Sequence, residues 1–146
     1  RSSYQSRYSI MNIQPHFIIM CREAFLAAGT NNLNLINVFT KINADEFPFM
    51  YTRFALVVNF DIDMGGNHIL HTDVLDSSGK QIARTDLPVT THAGNWQVIA
   101  NFEQMQFSAP GTYSFLLSLD GVSLGSRTLE VKPIFSPSSG HKTAIA

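Results

Sequence analysis

From Thr52 to Asp63 the chain alternates strictly, with Phe54, Leu56, Val58, Phe60 and Ile62 on one parity and Arg53, Ala55, Val57, Asn59, Asp61 and Asp63 on the other. Successive side chains of a strand point to opposite faces, so this pattern predicts a long strand with one face buried. Tyr113, Phe115, Leu117 and Leu119 repeat it, and Asp120-Gly121 follows where a tight hairpin turn needs positive φ. Val122–Leu124 and Leu129–Val131 form the returning strand, with a bulge or kink expected at Gly125-Ser126.

The rest of the chain reads the same way. Trp96, Val98, Ala100 and Phe102 share one face, whereas Met105 and Phe107 are displaced by one position, as a bulge near Glu103-Gln104 would require. Ile69–Leu75 and Gln81–Leu87 flank the loop Ser77-Ser78-Gly79-Lys80; Phe17–Ala27 and Leu33–Ile42 flank Gly29-Thr30-Asn31-Asn32. Residues 21–28 contain good helix formers ahead of Gly29, but the stretch is short and a strand is the preferred reading over a short helix. The βαβ alternation of a parallel sheet is missing. These segments predict an all-β fold: an antiparallel two-sheet sandwich of about eight strands, immunoglobulin-like or related in topology, with a closed barrel as the architectural alternative.

A chain of 146 residues and 16.2 kDa is one domain long. The division expected is an N-terminal arm or expression remnant over 1–14, the sandwich over 15–132 and a C-terminal tail over 133–146; Met11 offers a natural start. Both ends read as extended tails, in which Tyr4, Tyr8, Ile10, Ile134 and Phe135 are the apolar anchors available for docking. Charged residues are 14% of the total and the net charge is −1, which favours association over repulsion. The cations Arg53, Lys80, Arg84 and Arg127 are scattered and matched by acids, so no stripe for a phosphate backbone exists and no nucleic-acid partner is expected. The apolar run 17–21 is too short for a signal core or a membrane span, and the residues before Cys21 lack the small side chains of a lipoprotein processing site. Cys21 is the single cysteine, which fits a reduced, cytoplasmic setting and a buried, inert thiol.

Phe47-Pro48 before a strand, then Gly66-Asn67-His68, Asp76-Ser77-Ser78-Gly79, Pro110-Gly111-Thr112-Tyr113-Ser114-Phe115 and Asp120-Gly121 occur in that order. This arrangement resembles a family of small bacterial β-sandwich proteins of unknown function, over about Phe17 to Val131. The segment Leu35-Ile36-Asn37-Val38-Phe39 fits it too, except that Asn37 stands where such proteins often place glycine. The resemblance implies a fold and a bacterial or bacteriophage source, and carries over no catalytic residue.

Chemistry-bearing clusters are sparse. Asp61 and Asp63 beside Gly65-Gly66-Asn67 are the candidate metal pair, but calcium needs about six to eight oxygens and no bidentate Glu follows. His68 alternates away from His71 and Asp73, leaving two ligands where zinc needs three or four, so an exposed polar edge is the simpler reading. Ser, His92 and Asp86 are present without any nucleophile turn, and no Walker loop or dinucleotide fingerprint occurs. No cofactor and no enzymatic activity are expected. Trp96, with His92 and Asn95, could stack on a sugar ring and hydrogen-bond it, although its alternation with Val98 points it inward. The expected function is therefore a non-catalytic interaction or assembly module, acting through edge strands and tails on copies of itself or another protein. A small-ligand or carbohydrate-binding module is the alternative.

Overall fold

Pleated segments that each bury one face must pair edge to edge and then stack. In the structure, a computed structural model describing residues 11–30 and 32–134, they do so as nine strands. These are β1 (Ile13–Leu26), β2 (Leu33–Val38), β3 (Lys41–Ala44), β4 (Phe49–Ile62), β5 (Gly66–Leu75), β6 (Gln81–Thr91), β7 (Gly94–Phe107), β8 (Gly111–Leu119) and β9 (Val122–Pro133). One sheet has the order β2-β1-β4-β7 and the other β3-β9-β8-β5-β6. The two-sheet sandwich is therefore correct, and residues 21–26 are strand.

Two details differ from the sequence expectation. The predicted strand Leu33–Ile42 is two strands, because Asn37 adopts φ +56° and the chain leaves the first sheet at Phe39-Thr40 to enter the second. That asparagine tolerates left-handed geometry explains how it can stand in a glycine position. The second strand, β3, pairs with β9 in parallel, the one exception to antiparallel pairing.

The interior parities interdigitate between the sheets. Phe54 is fully buried, stacked on Phe102 at 5.0 Å and edge-on to Phe115 at 5.9 Å, so residues of β4, β7 and β8 lock the layers together. The turn chemistry holds as read. Asp120 and Gly121 both have positive φ, and Asp76 Oδ1 accepts from Ser78 N, Ser78 Oγ and Lys80 N across the β5–β6 loop. The Pro110-Gly111 turn is fastened by Tyr113, whose hydroxyl donates to the Ala109 carbonyl at 2.6 Å. A register shift in the β8–β9 ladder lies next to Gly125, as expected for a bulge.

The displacement at Gln104 belongs to a larger feature. In β7, Phe102 and Met105 are both buried and Glu103 and Gln104 are exposed between them; in β4, Tyr51 and Phe54 are buried around exposed Thr52 and Arg53. The ladder nevertheless keeps one register, Tyr51 opposite Met105 and Arg53 opposite Glu103. The shift of face is thus matched across the pair instead of being a bulge in one strand. The same step occurs in β1, where exposed Arg22-Glu23 separate Cys21 from partly buried Ala24, and β2 keeps its register with β1 there while Ile36, Asn37 and Val38 are all exposed. Gln104 and Asn37 take up the step with φ of +52° and +56°. A crease therefore runs across β1, β4 and β7 and meets the left-handed Asn37 of β2.

At the crease the sheet forks. The β1–β4 ladder ends at Cys21 opposite Ala55. Beyond it, residues 22–26 pair only with β2 and residues 49–53 only with β7.

Candidate functional site

The fork leaves an open cleft of about 650 Å³. One wall comes from β1 and β2, through Arg22, Glu23, Ile36 and Asn37; the other comes from β4, through Phe49, Met50, Tyr51, Thr52 and Arg53. Fully buried Ile42 of β3, in the opposite sheet, closes the floor. The two walls part because the crease turns the pleat out of phase just where the hydrogen-bonded ladder between β1 and β4 stops. The backbone of 22–26 and that of 49–53 each keep one edge with no strand paired to it among the described residues.

The chemistry of this cleft is mixed. Tyr51 is buried with its ring stacked on Phe39 at 5.6 Å, and burial raises its phenol pKa against the opposing effect of Arg22. Met50 and Ile36 remain 52% and 42% exposed at the rim. Arg22 and Arg53 make no ion pair or hydrogen bond with any described residue, unlike Arg84, which lies 3.7 Å from Asp73 and 3.3 Å from Asp86. The expectation that every scattered cation is matched by an acid therefore fails for Arg53. It also fails for Arg127, whose guanidinium donates to the Ile18 carbonyl, on the part of β1 that β2 is too short to cover.

Residues singled out in the sequence lie elsewhere. Trp96 is half-buried against the core; its indole N–H donates to the His92 carbonyl at 2.7 Å and its ring meets the His92 imidazole edge-on. Asn95 bridges Asn59 and Asp61. Asp61 also binds His16 Nε2 at 2.9 Å, and its carboxyl is held below the ordinary range by the Asn95 and His16 hydrogen bonds. Asp63 accepts from the Asn12 amide, so the two carboxylates serve different partners. Among the described residues no group of three or more His, Cys, Asp or Glu side chains could hold a metal ion. Cys21 is fully buried, on the outer face of the four-stranded sheet beside Ala55 and Val57, and burial raises its pKa. Of the tail anchors, Ile134 is half-buried with its amide on the Ala44 carbonyl; Tyr4, Tyr8, Ile10 and Phe135 lie outside the described residues.

The reading of His68, His71 and Asp73 as an exposed polar edge needs correction, because β5 lies between β8 and β6. His71 joins Asp86 and Arg84 on the outer surface. His68 is buried, with Nδ1 2.7 Å from Asp120 Oδ2 and Nε2 3.2 Å from Thr91 Oγ1. This Asp-His-Thr chain has the connectivity of a nucleophile relay, but the threonine is buried and none of the three lines the cleft. It pins the β8–β9 turn to β5 and to the end of β6. His92 and Asp86 have other partners and do not meet.

The chain matches the family of unknown function DUF6941 over residues 16–132. It belongs to that family. No curated protein matches it. Among solved structures, the alkylpurine DNA glycosylase AlkC of Pseudomonas fluorescens, bound to DNA containing an abasic site analogue, is similar at a TM-score of 0.52 and 13% identity over 82% of this chain. The chain spans 30% of that glycosylase, and the likeness is one of fold alone. A β-glucosidase of Listeria innocua is similar at 0.49, with 11% identity over 88% of this chain and 17% of the enzyme. An immunoglobulin-like protein of Pseudomonas aeruginosa is similar at 0.45, with 12% identity over 83% of this chain and 97% of that one. In the DUF6941 chain described here no helix among the described residues is long and apolar enough to cross a membrane.

Proposed function

We propose that this DUF6941 protein is a non-catalytic interaction module, and that its fork receives an extended segment of another protein as an added strand. The observation that carries this reading is the pair of strand edges, 22–26 and 49–53, left without strand partners on either side of a cleft with an apolar floor. Strand addition draws affinity from main-chain hydrogen bonds and specificity from pockets for alternate side chains. Of the four outer edges, β2 is a short apolar one of six residues and the other three are less receptive. β6 carries Arg84, Asp86 and Pro88, β3 is four residues long, and β7 shows solvent Asn101, Glu103 and Gln104, all features that discourage pairing.

The test is an amide NMR titration with capped peptides of alternating valine and threonine. Shifts concentrated in residues 22–26 and 49–53, and abolished by the exposed-site double variant Ile36→Lys/Met50→Lys, are expected. Shifts at β2, β6 or β7 without those at 22–26 and 49–53, or none at all, would refute the fork as the receiving edge.

A further inference from the structure

We infer that the segment received by the fork carries an acidic side chain between apolar ones, and that Arg22 and Arg53 grip its carboxylate from opposite walls. The inference rests on the strand-addition reading above and adds the chemistry of the partner. Each wall supplies one guanidinium, Arg22 from β1 and Arg53 from β4. Neither forms an ion pair with a described residue, although Glu23 lines the same cleft and Glu103 stands opposite Arg53 in the β4–β7 ladder. A guanidinium presents a planar fork of donors matched to a carboxylate, and a bond to a charged group counts for more where water is partly excluded. Ile42 at the floor and Phe49 and Tyr51 on the β4 wall supply that exclusion and take the flanking apolar side chains.

An acidic extended segment of another protein fits this chemistry. Residues 1–10 and 135–146 contain no Asp or Glu, and β2, the apolar edge by which a second copy could pair, contains none either. Neither source offers the carboxylate that the two arginines lack.

The experiment uses fluorescein-labelled, C-terminally amidated peptides of sequence Thr-Val-Glu-Val-Thr, with Gln or Lys in place of Glu, measured by fluorescence anisotropy on the full chain. The Glu peptide should bind at least about ten-fold tighter than the Gln peptide, and the Lys peptide more weakly than both. Arg22→Gln/Arg53→Gln should bring the Glu peptide to the affinity of the Gln peptide and leave the latter unchanged. Equal binding of Glu and Gln peptides overturns the carboxylate while strand addition stands. Binding of no peptide overturns both. Free glutamate competing as well as the Glu peptide would make this a small-molecule site and overturn the partner. So would a stable dimer by light scattering that dissociates in the Ile36→Lys/Met50→Lys variant, since a second copy would then occupy the edge.

Discussion

Glycine ordinarily weakens a strand, because it loses more conformational freedom on folding than any other residue and has no side chain to pack. The crease reverses that sign at one position. Gln104 is exposed with φ +52°, so little packing is lost with its side chain, while the left-handed conformation costs an L-residue about 1–2 kcal/mol that glycine does not incur. Glycine's larger unfolded-state freedom takes back about 0.5–1 kcal/mol. Gln104→Gly should therefore be neutral to stabilising, by about 0–1.5 kcal/mol, raising Tm by up to about 6 °C for a chain of this length. Glu103→Gly is the control. Its neighbour position sits opposite Arg53 in the same ladder with no positive φ, and there glycine should destabilise by about 0.5–1 kcal/mol. Urea unfolding followed by Trp96 fluorescence reads both, with equal slopes showing that the unfolded states are comparable. If the two glycine variants lose stability alike, Gln104 is ordinary extended backbone and the crease, with the fork that depends on it, is wrong.

Two further outcomes follow from side-chain hydrogen bonds that tie separate strands together. Burial raises the Asp120 carboxyl pKa, but the His68 and Ile69 hydrogen bonds overcome it and hold the group below its ordinary value. Its contribution to stability should be complete above the ordinary carboxylate pKa of about 3.9 and fall away as pH drops through the lower folded value. Asp120→Asn, which keeps a residue suited to the turn, should flatten that part of the acid-unfolding curve; an unchanged curve refutes the assignment. Arg127→Leu leaves the Ile18 carbonyl without its donor and should cost about 1–3 kcal/mol in urea unfolding, whereas a loss below the error of the method would mean that water replaces the guanidinium.

The candidate site was legible only in fragments. Ile36 and Asn37 drew notice through a family resemblance, Arg53 as one of several scattered cations, and Gln104 through the displaced parity of Met105 and Phe107. Arg22 and Tyr51 carried no signal, because a cleft made by two diverging strands has no local sequence pattern. The buried relay of Asp120, His68 and Thr91 was equally silent, its members being far apart along the chain.

Alternation is a local property, and so the residues of Phe54–Ile62 and Tyr113–Leu119 determined by themselves that these segments would be strands, just as Asp120-Gly121 and Asp76–Gly79 determined the hairpins; the expectation of a single buried face fails for Phe54–Phe60, where Ala55, Val57 and Asn59 on the second face are buried too. A period of two is the same for every strand, however, and names no neighbour. That β1 lies beside β4, that β3 runs parallel to β9, and that β1, β4 and β7 change face at one level were decided only when the sheets packed, because register and layer order minimise the free energy of the whole interior and not of any one segment.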